Sequence, residues 1–402
     1  MYLKHLSLTN FRNYFRLELE LPPQLVIIQG GNAQGKTNFL EAIYYLATAR
    51  SPWAGAEREV VNWLAGQEGQ PFARLVGEFV RKDDIQRIEM TLMPIGTSYR
   101  KHIRLNGAKK RALDLIGQVN VVLFHPQDVE LVRGSPSLRR RYLDMALCQI
   151  DGRYCRALQN YARILLQRNH LLRSLSEHPQ DADQLYFWDE KLAEEGAYLI
   201  ARRGEILAEL GEIAREVHLE LTGGQERLRL RYVPGVPLLA GGGQLLLRFD
   251  VPAAFDLEGI RGAFQARLKE VRAQEIAQGL SLVGPHRDDL RFLVGEMEMN
   301  VYGSRGQQRT IALSLKLAEM ELIFRQKGEN PILLLDEVMA EMDGARRNYL
   351  MDKISGMGQA ILTATDPSDF RPGLLAGATC FQVEGGRVAR QNRTLMNAEK
   401  HR

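Results

Sequence analysis

The chain begins with short segments in which apolar and polar residues alternate. Residues 2–8 alternate, and residues 15–21 do so strictly, which predicts two strands with one buried face each. Residues 24–29 form a compact apolar run, typical of a buried strand, and a Gly-rich turn and a helical pattern over 38–48 follow. Residues 72–105 predict further strands, with a turn at Asn106-Gly107.

The middle of the chain has a helical period instead. Apolar residues between Leu143 and Leu175 recur at steps of three, four and seven, which predicts one long amphipathic helix. A second helix is predicted between Leu192 and Leu221. The polar segment 176–183 separates the two, and an αα-hairpin is the simplest arrangement. Residues 234–252 are rich in Gly and Pro and predict a surface loop.

An α/β pattern returns towards the C-terminus. Strands are expected within 280–294, at 331–335 and at 359–363, and a helix at about 307–326. The two α/β regions bracket the helical middle. We therefore predict one α/β lobe made of residues 1–126 and 280–402, interrupted by a helical lobe of residues 127–279.

Composition narrows the class of protein. The 402 residues are 45% hydrophobic and 25% charged, which excludes collagen-like and disordered chains. We find no run of the roughly 18 to 20 apolar residues that spans a bilayer and no signal-peptide pattern. Three cysteines without CxxC spacing argue against a disulfide framework and favour a cytoplasmic location.

Residues 30–37 match the phosphate-loop pattern GxxxxGK[ST]. Glycines allow turns that point successive backbone N–H groups at phosphate oxygens, and the following helix presents its positive N-terminus to the same anion. Lys36 is expected to reach the β- and γ-phosphates and Thr37 to bind Mg²⁺. The predicted nucleotide contacts of this segment are Gly30, Gly31, Asn32, Ala33, Gln34, Gly35, Lys36, Thr37 and Asn38.

Two further segments complete the candidate chemistry. The apolar run at 331–335 ends in Asp336, which can bind Mg²⁺, and Glu337, which can polarise an attacking water. Ser304-Arg305-Gly306-Gln307-Gln308 precedes a helix, whose N-terminus is a second place for an anion. Taken alone, either segment could be structural, as a solvated strand end or a capped helix.

This order of motifs is that of ATP-binding-cassette ATPases, and its details resemble one family. The chain resembles the RecF recombination mediators, which are similar to the heads of SMC and Rad50-type proteins. The resembling stretches are 8–14 (LTNFRNY), 31–38 (GNAQGKTN), 135–144 (SPSLRRRYLD), 282–290 (LVGPHRDDL) and 306–319 (GQQRTIALSLKLAE). Together they lie along most of the chain and are far more specific than the phosphate loop alone.

The resemblance implies a two-lobed cassette that dimerises on binding ATP, so that each site is shared. One subunit would supply the phosphate loop with Asp336 and Glu337, and the other Ser304, Gly306 and Gln307. The resemblance also places Gln127 near Mg²⁺ and the attacking water, Arg12 at the nucleotide and Asp366 at the position of a switch histidine. The departures are Arg305 and Gln127, where the family often has Gln and Glu, and Glu337, where it often has Asp.

The family further implies slow ATP hydrolysis as a timer on a DNA clamp. It implies action at single-strand gaps and stalled forks, with a RecR-type partner that helps to load recombinase. Two basic stretches, 100–111 and 133–173, carry the charge density that phosphate contact needs, although charge runs are often only solvated surface. The predicted DNA contacts are Arg100, Lys101, Arg104, Lys109, Lys110, Arg111, Arg139, Arg140 and Arg141.

Three other functions compete with this one. The nucleotide-binding subunit of a transporter shares the cassette, but the Arg-rich insertion counts against it. An SMC or Rad50-type head carries a coiled coil far longer than the insertion between residues 127 and 279. A small-molecule P-loop kinase has no need of the segment 304–308.

Overall fold

The molecule is described by a computed structural model that covers residues 1–65, 69, 71–82, 84–177, 182–237, 256–365 and 377–391. Its contacts divide the chain into a first unit, Met1–Gln127 with Ile323–Arg402, and a second unit, Asp128–Leu322.

The N-terminal segment of the first unit alternates short strands with one long helix. Its elements are β1 (Tyr2–Phe11), β2 (Tyr14–Glu20), β3 (Val26–Gln29), α1 (Lys36–Thr48), β4 (Ala73–Arg81), β5 (Asp84–Ile95), β6 (Ser98–Leu105), β7 (Ala108–Lys110), α2 (Ala112–Leu115) and β8 (Val121–Phe124). The predicted strands and helix of the first 48 residues are confirmed. The predicted Asn106-Gly107 turn joins β6 to β7, and both residues have positive φ, as a tight hairpin requires.

The second unit is mainly helical and carries one small sheet. Its elements are α3 (Val129–Arg133), α4 (Pro136–Ile150), α5 (Gly152–Glu177), α6 (Leu185–Leu221), β9 (Leu228–Val233), α7 (Leu257–Gln278), β10 (Asp289–Val294), β11 (Met297–Glu298), α8 (Met299–Tyr302) and α9 (Arg305–Lys327). The division between the two units falls within α9.

The C-terminal segment returns to the first unit. Its elements are β12 (Ile332–Asp336), α10 (Gly344–Ser355), β13 (Ala360–Ala364), β14 (Thr379–Glu384) and β15 (Arg387–Arg390). The predicted strands at 331–335 and 359–363 are confirmed within one residue. The pairs β9–β10 and β14–β15 contain strands that the periodicity did not single out.

The prediction of one continuous helix from Leu143 to Leu175 is wrong. The chain leaves the helix at Asp151, whose Oδ1 accepts hydrogen bonds from the backbone N–H groups of Arg153 (2.9 Å) and Tyr154 (3.0 Å). A side chain that caps the next helix in this way ends one helix and begins another. The predicted αα-hairpin is present as α5 and α6, because Arg168 pairs with Asp189 while Asn160, nearer the start of α5, contacts Glu195.

The structure differs from one further prediction, and most of a predicted loop lies outside the described residues. The strand expected within 280–294 begins only at Asp289, after a turn of 3₁₀ helix at Pro285–Arg287. Of the loop expected at 234–252, residues 238–252 lie outside the described part of the chain.

Strand order brings the chemical motifs of the first unit to one edge. A six-stranded sheet runs β15-β14-β3-β13-β12-β8, and all of its neighbouring pairs are parallel except β14–β15. Thr363 of β13 pairs with Ile28 of β3 on one side and Asp336 of β12 on the other. The carboxyl ends of parallel strands meet at the same edge, where ligands bind in sheets of this kind. The phosphate loop and Asp336 therefore emerge together.

A second, antiparallel sheet, β2-β1-β4-β5-β6-β7, completes the first unit. Its inward residues share one hydrophobic core with α1 and with the parallel sheet. Fully buried members of this core are Leu8 and Leu75 of the antiparallel sheet, Phe39 and Leu46 of α1, and Leu334 of the parallel sheet. Burial of large apolar side chains on both sides of α1 fixes the start of that helix, and with it the phosphate loop.

The division into units differs from the predicted lobes at one end. The sequence placed the boundaries after residues 126 and 279, whereas the structure places them after residues 127 and 322. Residues 280–322 stay with the second unit because β10 pairs with β9 and because Asp288 binds Arg203 of α6.

Candidate functional site

The phosphate loop joins β3 to α1 in a conformation that only certain residues adopt. Ala33 and Gly35 have φ values of 62° and 115°, and α1 begins at the next residue. A Cβ on Gly30 would collide with the carbonyl oxygen of Val383, and one on Gly35 would lie within 3 Å of the Asn13 amide. The glycines at both ends of the motif are therefore required by close packing as well as by the turn.

We expect Gly30→Ala to lower the free energy of unfolding by about 1–3 kcal/mol, since the methyl group forces the loop away from β14. The matched control is Gly31→Ala, because a Cβ there meets only the Gln34 Cγ at 3.7 Å, an ordinary contact. Denaturant unfolding of both variants measures the difference. Equal stability of the two variants would contradict the packing argument.

Lys36 lies inside the loop with only 4% of its surface exposed. Its Nζ donates to the carbonyl oxygens of Gly30 (2.8 Å) and Gly31 (2.9 Å) and forms an ion pair with Glu337 Oε1 at 2.9 Å. A buried ammonium group needs such partners, and oxygens of a phosphate are stronger ones. The loop thus holds the Lys36 ammonium group at a position where a phosphate group would accept its hydrogen bonds.

Thr37 and Asp336 meet beside Lys36. The Thr37 hydroxyl donates to both Asp336 carboxylate oxygens (3.0 and 2.9 Å), and Thr363 Oγ1 donates to Oδ1 at 2.8 Å. Burial raises the pKa of Asp336, and the hydrogen bonds from Thr363 and Thr37 oppose that rise.

These oxygens fit a magnesium ion. Two neighbouring ligands of an octahedral Mg²⁺ with bonds of about 2.1 Å lie roughly 3 Å apart, which is the separation of the Thr37 hydroxyl from the Asp336 carboxylate. Mg²⁺ is held by one or two protein oxygens together with substrate phosphates, so a larger carboxylate cluster is not required. No group of three or more His, Cys, Asp or Glu side chains suited to a metal occurs among the described residues.

Glu337 is held in place by its backbone as well as by Lys36. Its φ of 51° is left-handed, its N–H donates to Thr363 Oγ1 at 2.9 Å, and its Oε1 accepts from Thr365 at 3.2 Å. A strained backbone of this kind is often found at functional positions. Thr363 thus contacts both acids, and sequence reasoning missed it because a Thr at a strand end carries no motif of its own.

Gln127 follows β8, the parallel neighbour of β12, and is exposed at the same sheet edge as Asp336. Its backbone N–H donates to His125 Nδ1 at 2.9 Å. An electrostatic interaction with His125 also lowers the pKa of Asp336, and this effect is smaller than that of burial. His125, the residue directly after β8, is therefore close enough to affect the pKa of Asp336. Sequence reasoning did not select His125.

Arg12, which was expected at the nucleotide, is bound to groups of the fold. Its guanidinium binds both Glu41 carboxylate oxygens at 2.7 Å and the Glu59 carbonyl oxygen at 2.7 Å. Its neighbour Asn13 holds the loop instead, since its amide donates to the Gln34 carbonyl oxygen (2.8 Å) and accepts from Asn38 (2.8 Å).

Gln34 is fixed as well, because its Oε1 accepts from the Gly385 backbone at 2.7 Å. Gly31, Asn32 and Ala33 are exposed. Residues 31–33 of the phosphate loop therefore face solvent, whereas Gln34 is held by hydrogen bonds.

The signature segment lies in the second unit and begins α9. Ser304 Oγ accepts from the Gln307 N–H at 3.2 Å, and Gln307 Oε1 accepts from the Ser304 N–H at 3.0 Å. This reciprocal pair is a capping box, which the spacing of Ser304 and Gln307 encodes. Ser304 and Gly306 are exposed, so the N-terminus of a 23-residue helix is open to an anion.

The basic residues of 100–111 are mostly exposed on one sheet edge. Arg100, Arg104, Lys109, Lys110 and Arg111 are exposed, and β7 is the edge strand. Lys101 is different: it forms an ion pair with Glu57 at 2.7 Å, donates to the Ala49 carbonyl oxygen and lies over the Tyr45 ring. Burial lowers the pKa of Lys101, with the Glu57 contact opposing it. Lys101 therefore has contacts within the fold, and its DNA contact stays a prediction.

Two arginines of α4 also have contacts within the fold. Arg139 is 5% exposed and binds both carboxylate oxygens of Asp289, at 2.7 and 3.1 Å, and the half-buried Arg140 donates to the Asp288 carbonyl oxygen at 2.7 Å. Both guanidinium groups therefore bind oxygens within the fold, and their expected role as DNA contacts stays a prediction. Arg141 remains exposed.

The turn at 285–289 is a structural corner. Asp288 is buried and accepts from Arg203 Nη1 (2.6 Å) and the Gly235 N–H (2.6 Å), and burial raises its pKa. Burial lowers the pKa of His286 to about 4, and its Nδ1 lies 2.7 Å from the Tyr161 hydroxyl.

Two expectations concern the rest of the chain. Asp366 lies outside the described residues. Within the described ranges, no helix has the length and apolar character that crossing a membrane requires.

Comparison with known proteins agrees with this site. Residues 2–372 match the RecF/RecN/SMC N-terminal domain family. The chain is 43% identical to the DNA replication and repair protein RecF of Chloroflexus aurantiacus, over 96% of this chain and 99% of that protein. A solved structure of the recombination mediator RecF with ATP, in the RecFOR pathway, superposes with a TM-score of 0.85 at 33% identity, covering 97% of this chain and 98% of that one.

An SMC head bound to the winged-helix domain of ScpA has a TM-score of 0.53 at 17% identity, covering 99% of this chain and 100% of that one, which shows a shared fold. The predicted cassette-type α/β core with its helical insertion is confirmed by this likeness and by that to RecF. Taken with the phosphate loop, the acidic strand and the signature helix, these relationships show that the chain belongs to the RecF family of DNA replication and repair proteins.

Proposed function

We propose that this protein is a cytoplasmic, ATP-dependent DNA-binding protein with weak, Mg²⁺-dependent ATPase activity. ATP closes a homodimer on DNA, and slow hydrolysis opens it. The observation that carries this proposal is the group of Thr37, Asp336, Thr363 and Glu337 around Lys36 at the mouth of the phosphate loop.

Binding begins with an exchange of partners at Lys36. Lys36 is held by two loop carbonyls and by Glu337. The β- and γ-phosphates offer stronger acceptors, so Lys36 turns to them and releases the Glu337 carboxylate. Backbone N–H groups of residues 31–37 and the α1 N-terminus bind the remaining phosphate oxygens.

Hydrolysis then depends on the carboxylate that Lys36 releases. Glu337 accepts a proton from the attacking water, and its left-handed backbone together with Thr363 and Thr365 keeps it at the strand end. Thr37 and Asp336 would hold Mg²⁺, with Gln127 at the same sheet edge. When bound, Mg²⁺ neutralises charge that develops on the phosphate oxygens.

The second half of each site comes from another copy of the chain. The α9 N-terminus, with Ser304, Gly306 and Gln307, is open to an anion and suits the γ-phosphate of ATP bound to the partner. Dimerisation that depends on ATP follows, since the phosphate is then shared by two chains.

Ser304→Arg tests this shared site. The long cationic side chain blocks the helix N-terminus, so ATP-driven dimerisation should be lost while each monomer still binds ATP. Light scattering with ATP and equilibrium ATP binding measure the two properties. A small-molecule P-loop kinase would keep its turnover in this variant, and unchanged dimerisation would exclude our proposal.

The exposed basic edge of the antiparallel sheet is the proposed DNA surface. Its exposed basic residues are Arg100, Arg104, Lys109, Lys110 and Arg111, and Arg141 is a separate proposed contact in the second unit. Arg111 also binds Asp114 at 3.1 Å, which leaves it less available to phosphate than the two lysines. Edge lysines also discourage pairing with another sheet, so charge alone does not decide their role.

We expect the double variant Lys109→Glu/Lys110→Glu to weaken DNA binding and to lower the slope of log affinity against log salt by about 2, one unit for each lysine that no longer neutralises a phosphate. The control is Lys4→Glu/Arg16→Glu, which makes the same charge change on exposed residues at the opposite side of the same sheet. Mobility shifts of a gapped duplex at several salt concentrations measure both. Equal effects in the two variants would indicate a general effect of net charge.

The relatives suggest the setting of this activity. One solved RecF structure is described as a recombination mediator in the RecFOR pathway. We propose that this chain likewise acts at single-strand gaps and stalled forks with a RecR-type mediator, and supports loading of recombinase. The runner-up, a nucleotide-binding subunit of another cassette system, predicts no ATP-stimulated DNA binding.

A further inference from the structure

Both ends of the Gln307 side-chain amide are held. Its oxygen accepts from the Ser304 backbone, as the capping box requires. Its nitrogen donates to Glu226 Oε1 at 2.8 Å, a contact that no part of the signature motif encodes. Glu226 lies between α6 and β9, 81 positions earlier in the chain, so a distant carboxylate fixes the orientation of a signature residue.

Glu226 is itself held by a buried histidine. His218, at the end of α6, has no exposed surface, and its Nε2 lies 3.1 Å from Glu226 Oε2. The other ring nitrogen, Nδ1, lies 3.0 Å from Ser314 Oγ on α9. Glu226 therefore joins the first turn of α9, through Gln307, to a histidine that also contacts the third turn.

Each ring nitrogen of His218 faces an oxygen atom. Nδ1 faces Ser314 Oγ, whose hydroxyl donates to the Thr310 carbonyl oxygen at 2.8 Å, and Nε2 faces Glu226 Oε2. A protonated His218 donates from both nitrogens, and its hydrogen bond to the Glu226 carboxylate is then charge-assisted and strong.

The backbone of Glu226 is fixed too. Its N–H donates to Thr222 Oγ1 at 3.2 Å, and Thr222 Oγ1 donates to the His218 carbonyl oxygen at 2.8 Å. Thr222 follows the last residue of α6 and so links the end of that helix to Glu226. Because the backbone of Glu226 is fixed, its carboxylate is held in position to accept the hydrogen bond from Gln307.

We propose that Glu226, held by His218, is a positioning residue for the signature segment. It keeps the Gln307 amide turned so that the Ser304–Gln307 capping box and the N-terminus of α9 are ready for the γ-phosphate on a partner chain. This inference rests on the proposed function, because it assumes that the signature segment binds nucleotide across a dimer.

Preorganisation explains why this contact matters for assembly. A free glutamine side chain samples several rotamers, and ordering it at the moment of binding weakens binding. When Glu226 is present, the Gln307 side chain is already ordered in the folded monomer. Dimerisation then loses less side-chain entropy, so each phosphate contact contributes more to the free energy of dimerisation. Without Glu226 the helix still forms, but its cap must be ordered when the dimer closes.

The test compares Glu226→Ala with Glu226→Gln, both in a Glu337→Gln background that slows hydrolysis. Glu226→Ala removes the acceptor for Gln307 and should weaken ATP-driven dimerisation about tenfold, with ATP binding by the monomer unchanged. Glu226→Gln keeps an oxygen for Gln307 and an amide that can donate to a neutral His218, and should restore dimerisation to within about threefold of the parent. Glu216→Ala, an exposed change on α6, is the matched control.

Light scattering over a range of protein concentrations with ATP gives the dimerisation constants. A Glu226→Ala protein that dimerises like the parent, while Ser304→Arg does not, overturns the inference and leaves the proposed function standing. A Glu226→Gln protein as weak as Glu226→Ala overturns it as well, since accepting a hydrogen bond would then not be the role. If Ser304→Arg also dimerises normally, the proposed function itself fails.

Discussion

Glu337→Gln is expected to slow ATP hydrolysis about 100-fold or more, the range that a general base contributes. ATP binding should persist, because the phosphate loop and Asp336 are unchanged. The carboxamide cannot take a proton from water, so the closed state cannot be left by hydrolysis. The variant should therefore accumulate as an ATP-bound dimer on DNA. Phosphate release measures the rate, and light scattering measures the dimer.

Glu20→Gln is the control for this change, because Glu20 is an exposed carboxylate on β2 of the same unit. It should hydrolyse ATP at the parent rate. A Glu337→Gln protein with parental turnover would show that another group takes the proton, and the ion pair between Lys36 and Glu337 would then be structural only.

Lys36→Ala is expected to weaken ATP binding about 100-fold. Lys36 is buried in the loop and would donate to two phosphate groups, and charge-assisted hydrogen bonds contribute about 1.5–3 kcal/mol each. The loss of roughly 3 kcal/mol corresponds to two factors of ten in affinity. Isothermal titration with a non-hydrolysed ATP analogue measures it directly.

The control for Lys36→Ala is Lys4→Ala, which removes an exposed ammonium group from β1 of the same unit. Its affinity for the analogue should equal that of the parent. Unchanged affinity of the Lys36→Ala protein would contradict the proposed role of the phosphate loop in ATP binding, however well its sequence matches the motif.

Local sequence predicted the site where the chemistry itself has a fixed spacing. The loop at 30–37 and the acids at 336–337 needed only a strand before them, and both strands were visible as apolar runs. The capping box at 304–307 was encoded in the same way. Thr363 and Asn13 were not, because they reach the site only after strands distant in sequence become neighbours.

Charge patterns were less reliable than motifs. Lys101, Arg139 and Arg140 belong to basic stretches, yet they bind carboxylate or carbonyl oxygens within the fold. Counting charges along a chain cannot show which ones meet a partner from elsewhere. The single helix predicted through Asp151 failed for a related reason, since apolar spacing does not register a side chain that caps the next helix.

The central claim is that ATP joins two copies of this chain, and light scattering with ATP and a gapped duplex tests it most directly. We predict that the Glu337→Gln protein with ATP has twice the 45.6 kDa mass of the single chain, in addition to any bound DNA. The Ser304→Arg protein, which still binds ATP, should remain at the single-chain mass. A Glu337→Gln protein that stays monomeric with saturating ATP would contradict the account.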